Sequence, residues 1–167
     1  GGEAGIATRI QMGSRWAGRD ARAARAWAQA QPPDEAAQYM SSLLPSLSKS
    51  DPQYAIQLAA MVPGEEGRYV RRDMAQGFLY TDRVDTALAL ADMVTDAQER
   101  EKLQSMVLTR YGSRNPEEAI ALARGTGNPQ LVDRVLASAI DDLGDTDPLL
   151  AMERIVEIQE PLLRAET

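Results

Sequence analysis

The sequence contains no cysteine and no histidine. Their absence excludes disulfides, zinc fingers, thiol nucleophiles and the His-based triads. A metal site would have to be all-oxygen, and any catalysis would fall to carboxylates, Lys, Tyr, Ser and Thr. Aromatics are also scarce, at 5% of 167 residues with one Phe and two Trp. No apolar run approaches the roughly 20 residues of a membrane-spanning helix, and no charged-then-apolar leader is present. A soluble chain without membrane insertion is expected. The opening Gly1-Gly2-Glu3 in place of Met reads as a processing or excision point. The lack of Cys suits an exported bacterial protein and a cytosolic helical one equally; a bacterial periplasmic setting is weakly favoured over a cytoplasmic one.

Basic charge is in deficit as well. The formal net charge is -7, which argues against nucleic acid, because that affinity rests on many Lys and Arg displacing phosphate counterions. The imbalance is uneven: residues 1–30 carry a net +3 and residues 141–167 a net -6. Alanine, by contrast, is abundant, with 26 copies. It is the best helix former, and its small side chain lets helices approach closely.

Self-similarity is the informative signal. Five times an aromatic residue or Leu is followed, four positions on, by Asp or Asn: Trp16 and Asp20, Leu47 and Asp51, Phe78 and Asp82, Tyr111 and Asn115, Leu143 and Asp147. Three of the caps are followed directly by Pro (Pro52, Pro116, Pro148). Asp or Asn at an N-cap accepts from an orphan backbone N–H, and Pro at the next position has a pre-set φ and no N–H to waste. Successive caps lie 31, 31, 33 and 32 residues apart. Eight before the cap stand Met12, Leu43, Met74, Val107 and Ala139, and seven before stand Gly13, Leu44, Ala75, Leu108 and Ile140. Twelve before stand Thr8, Tyr39, Val70, Leu103 and Val135. This spacing describes one face of an amphipathic helix. Four after the cap stand Ala24, Ala55, Thr86, Ala119 and Ala151. The Asp82 unit fits better slipped by one, so that Ala87 takes the alanine column.

Each unit reads as a first-type helix after the cap, a turn, and a second-type helix ending at the next cap. The expected helices are 6–17, 20–30, 34–47, 52–62, 65–80, 83–94, 96–112, 116–124, 129–143 and 148–159, with Pro45 kinking or ending its helix after Leu44. The expected fold is all-α: an α-α superhelix, or solenoid, of stacked antiparallel hairpins with nine to ten helices. It spans 1–167 as a single array, with repeats near 20–50, 51–81, 82–114 and 115–146 and half-repeats at 6–19 and 147–160.

With Val107-Leu108-Thr109-Arg110-Tyr111-Gly112 closing one helix and Asn115-Pro116-Glu117-Glu118-Ala119-Ile120-Ala121-Leu122-Ala123 forming the next, the chain resembles the tetratricopeptide-like class of α-solenoids. The resemblance covers residues 6–160. Its period is nearer 32 than the family's 34, and the family's early Trp and Leu-Gly pair are missing. It implies a protein-binding scaffold without catalysis, and it transfers no individual binding residue.

Local motifs for chemistry are weak. Asp141, Asp142, Asp145 and Asp147 alternate as in a calcium loop, but the twelfth position is Met152 rather than Glu. A helix end at Gly144 followed by an Asp147 cap explains them better. Gly125-Thr126-Gly127 lacks the Lys and spacing of a phosphate loop and reads as a turn. No catalytic residue, metal or cofactor is expected.

For binding, Arg68, Arg71 and Arg72 fall at helical spacing on one second-type helix, with Arg100 and Gln104 on the next and Arg134 on the one after. This strip, with Tyr69, would hold a carboxylate or an acidic peptide, since Arg and Tyr dominate binding hot spots. A solvated face pairing with Glu65, Glu66, Asp73 and Glu101 is the ordinary alternative. Tyr54 and Tyr80 also fall outside the apolar columns. The expected function is a non-catalytic scaffold for a protein or peptide partner. The alternatives are a superhelical accessory segment of a larger enzyme, for instance in the cell envelope, and an assembly protein whose oppositely charged ends stack.

Overall fold

The computed structural model describes residues 3–144 and 147–156. These form ten helices and no strand: α1 (Glu3–Ala17), α2 (Ala21–Gln29), α3 (Pro33–Ser50), α4 (Pro52–Met61), α5 (Gly64–Tyr80), α6 (Val84–Asp92), α7 (Ala97–Gly112), α8 (Pro116–Gly125), α9 (Pro129–Gly144) and α10 (Pro148–Ile155). The protein is all-α, and none of the described helices is long and apolar enough to cross a membrane. The chain divides into two compact units, Gly1–Thr95 and Asp96–Thr167.

The five junctions between a second-type helix and the following first-type helix share one hydrogen-bond arrangement. At four of them the cap N–H donates to the carbonyl of the aromatic or Leu four residues back: Asp20 to Trp16, Asp51 to Leu47, Asn115 to Tyr111 and Asp147 to Leu143. The cap carbonyl then accepts from the column alanine, Ala24, Ala55, Ala119 or Ala151. The remaining junction explains the long 33-residue spacing. Asp82 takes a left-handed φ of 57°, Arg83 becomes the cap of α6, its N–H reaches Phe78, and its carbonyl serves Ala87. One residue is looped out, and the expected slip to Ala87 follows from it.

Asp20, Asp51 and Asp147 cap as expected, each accepting from the N–H three residues on. Asp96 does the same for α7, and Asn128 accepts from Leu131 at the start of α9. Asn115 occupies its cap position without a side-chain bond.

In the first unit each helix packs on the next, and α3 is sandwiched, touching α1, α2, α4 and α5. Its column residues Tyr39, Leu43, Leu44 and Leu47 are accordingly buried, as are Met74, Ala75 and Phe78 of α5. In the second unit α7, α8 and α9 pack mutually and α10 packs on α9, burying Leu103, Val107, Leu108, Tyr111, Leu131, Val135, Ala139 and Ile140. The alanine column is buried throughout, at Ala24, Ala55, Ala87, Ala119 and Ala151.

Three expectations need correction. Met12 and Trp16 stand in core columns yet are 66% and 42% exposed, because α2 and α3, on which α1 packs, leave them uncovered. Pro45 does not end its helix: α3 runs on to Ser50. Pro45 lies on the exposed side; the donor it lacks would have served the Ser41 carbonyl, and one residue on the Ser42 carbonyl accepts from Ser14 Oγ at 2.8 Å, which ties this turn of α3 to α1. The last helix, expected over 148–159, ends at Ile155; residues 157–159 lie outside the described residues, as do Asp145 and Thr146 of the acidic stretch.

Candidate functional site

The Arg strip is divided by the fold. Arg71 is only 5% exposed; its Nη1 donates to the carbonyls of Ala59 at 2.9 Å and Val62 at 2.8 Å. These carbonyls close the C-terminal end of α4, where the helix dipole and the unsatisfied C=O groups favour a cation. The cation is thus buried against fixed acceptors. Gly67 is part of the same joint, since a Cβ there would lie 2.0 Å from the Val62 carbonyl oxygen and 2.8 Å from Arg71 Nη1. Arg71 is a clamp inside the first unit and does not reach the surface that carries Arg68, Tyr69 and Arg72, which are all exposed.

The remaining candidates belong to the second unit. Arg100 and Gln104 are half-buried on α7, and Arg134 on α9 is exposed and lies 3.5 Å from Glu101. That contact is the surface pairing of the ordinary alternative. Tyr80 is 82% and Tyr69 71% exposed, whereas Tyr54 is half-buried with the Arg25 guanidinium 5.7 Å from its ring centroid.

Tyr69 does border a cavity. A cleft of about 560 Å3 runs along the second-type helices of the first unit, with α3 and α5 as its main walls and Ile10 of α1 at its margin. On α5 the lining positions are Glu66, Tyr69, Val70, Asp73, Met74, Gly77 and Phe78, which is the i, i+3, i+4 sequence of one helix face. The α3 wall is mostly small and polar, with Gln38, Ser41, Ser42 and Ser48, but Leu44 and Pro45 give it an apolar middle. Serine suits this wall because its hydroxyl turns back on the helix: Ser42 Oγ donates to the Tyr39 carbonyl and Ser48 Oγ to the Leu44 carbonyl. The wall therefore shows little unsatisfied polarity.

Gly77 sits in this lining three residues before the end of α5. Its φ is not left-handed, so it is not there to make a turn. A Cβ placed on it would meet no atom within 4 Å, so it is not there to let a neighbour approach. A glycine inside a helix costs about 0.5–1 kcal/mol relative to alanine. Here it leaves the α5 wall without a side chain at that position of the lining.

The two ends of the cleft differ in charge. Glu66 lies in the first turn of α5 and Asp73 near its middle, and Lys49 and Arg83 lie at the C-terminal end. Arg83 is held in place: Nε donates to Thr81 Oγ1 at 3.2 Å, Nη2 donates to the Ser48 carbonyl at 3.4 Å, and the guanidinium carbon lies 5.0 Å from the Phe78 ring centroid. The bond to Ser48 also ties the C-terminal end of α3 to the turn between α5 and α6.

Sequence reading selected Tyr69 and missed Gly77, Lys49 and Arg83. One signal for Gly77 was present, a lone Gly within an otherwise strong helical pattern. Among the described residues no group of three or more carboxylates is placed to hold a metal ion. Comparison with protein-family models, with curated proteins and with solved structures finds no match for this chain.

Proposed function

We propose that the chain is a non-catalytic, tetratricopeptide-like helical-repeat scaffold and that the cleft of its first unit receives a segment of a partner protein. The single observation that carries this reading is Gly77, which gives up helix stability and leaves space in the cleft. The recurring cap–alanine junctions support the repeat part of the proposal, because they join helices into the side-by-side series α1, α3, α5 in the first unit. A largely apolar recess with a few placed polar groups is the usual form of a binding site. Grooves between helices accept peptide segments by burying an apolar anchor.

The test is selection of a displayed random-peptide library on the purified chain, with a Gly77→Phe variant as the counter-target. A Cβ at this position meets no atom within 4 Å, so the larger side chain enters from an unhindered backbone position. Peptides enriched on the native chain are expected to lose at least about tenfold in affinity on Gly77→Phe, the effect of removing one hot-spot contact. Enriched peptides that bind both chains equally would reject the cleft as the site.

A further inference from the structure

Resting on that reading, the charge distribution of the cleft says which segment fits. The space above Gly77 lies between two poles. One helical turn back along α5 stands Asp73, with Glu66 about two turns further, and one turn forward the wall reaches Thr81, where Arg83 is anchored and Lys49 adjoins from α3. Asp73, Glu66 and Lys49 are exposed, and no ion pair within the described residues engages them. Glu66 and Lys49 also sit where helix dipoles favour their signs, in a first turn and a last turn. That account does not extend to Asp73 in the helix interior, nor to Arg83, whose guanidinium is fixed by two hydrogen bonds and an aromatic face. A guanidinium already immobilised loses little entropy on taking up a carboxylate.

Four residues of α-helix span about 6 Å, and an extended peptide covers that in about two residues. We infer that the cleft selects a dipolar peptide segment: a large apolar anchor over Gly77, an acidic residue about two positions to one side facing Lys49 and Arg83, and a basic residue about two positions to the other side facing Asp73. Charge complementarity of this kind sets register and partner choice more than raw affinity.

Synthetic peptides of the patterns Asp-x-Phe-x-Lys, Asp-x-Phe-x-Asp and Lys-x-Phe-x-Lys are the probes, read by fluorescence anisotropy against the full chain. The dipolar peptide is expected to bind roughly fivefold more tightly than either single-sign peptide, a difference of the size that exposed charge pairs give. The preference should shrink as salt is raised to about 1 M, where screening is nearly complete. Lys49→Glu, at an exposed position checked by its thermal melt, is expected to move the preference toward Lys-x-Phe-x-Lys. Binding that depends on Gly77 but is indifferent to peptide charge would overturn this inference and leave the binding reading intact. Charge preference unchanged in Lys49→Glu would overturn the assignment of the basic pole. Absence of any Gly77-dependent peptide would overturn both.

Discussion

The two units use the same junction between helices but place their charges differently. In the first unit one arginine is folded into the core, Arg71 onto two backbone carbonyls, while Arg9, Arg25 and Arg83 lie over the rings of Tyr39, Tyr54 and Phe78 and Arg9 also pairs with Glu35 at 3.7 Å. In the second unit Arg134 pairs with Glu101 at the surface, and the half-buried Arg154 pairs with the exposed Glu117. Tyr111 meanwhile donates to Glu118 at 2.7 Å across the α7–α8 junction. A buried cation held by fixed carbonyls acts as a structural bolt whose loss leaves unsatisfied groups, whereas an exposed pair contributes little and is screened. The contrast teaches that arginine count alone does not reveal a binding surface. In the first unit the most buried arginine belongs to the fold.

The largest effect tests the bolt. Arg71→Met is expected to lower stability by about 2–4 kcal/mol, since two buried carbonyls lose a charged donor, as measured by urea denaturation. A cost under about 1 kcal/mol would show that the clamp is not structural. Gly67→Ala should cost about 3 kcal/mol, because a Cβ cannot share space with the Val62 backbone. Combined with Arg71→Met it should cost less than the sum, since both changes break one joint. In the second unit Tyr111→Phe is expected to cost only about 1–1.5 kcal/mol, one charge-assisted hydrogen bond at a partly buried site. A loss equal to that of Arg71→Met would erase the distinction between the units.

Gly77→Ala should have the opposite sign, raising stability by about 0.5–1 kcal/mol while weakening peptide binding. A variant less stable than the native chain would mean that this glycine has a packing role. The smallest effect concerns pH. Burial, together with the hydrogen bond its hydroxyl donates to Glu35, holds the Tyr39 pKa above the ordinary 10.0. The folded state therefore keeps a proton that the unfolded state releases. Stability from this source is complete below pH 10 and declines as pH rises through the folded value. An alkaline melt should show that decline in the native chain, and Tyr39→Phe should lessen it.

Much of the local structure was legible from the residues. Caps such as Asp51-Pro52 and Asp147-Pro148 start α4 and α10 at the expected residue, because N-cap and N1 chemistry acts within one turn of chain. The slip at Asp82 was visible as a misplaced alanine, and its cause is one residue in the left-handed region. Met12 and Trp16 were misjudged because a column states which face is apolar and cannot state whether a neighbour covers it. Pro45 does not end its helix because α3 is held along its length by packing against α1, α2, α4 and α5.

The candidate site was less legible. Arg68, Arg71 and Arg72 are equivalent by periodicity, yet a helix face is a wide arc, and only the position of the α4 terminus turns Arg71 inward. Lys49 and Arg83 are 34 positions apart in the chain, so no local pattern associates them with Gly77. By itself the sequence determined the ten helices, their caps and the small-residue contacts, since these depend on propensity, capping and periodicity over a few residues. Which charges became bolts, which apolar columns stayed exposed, and where a cleft opened with opposite poles were decided by the tertiary structure. Burial and electrostatic partnership depend on groups that the chain brings together only when it folds.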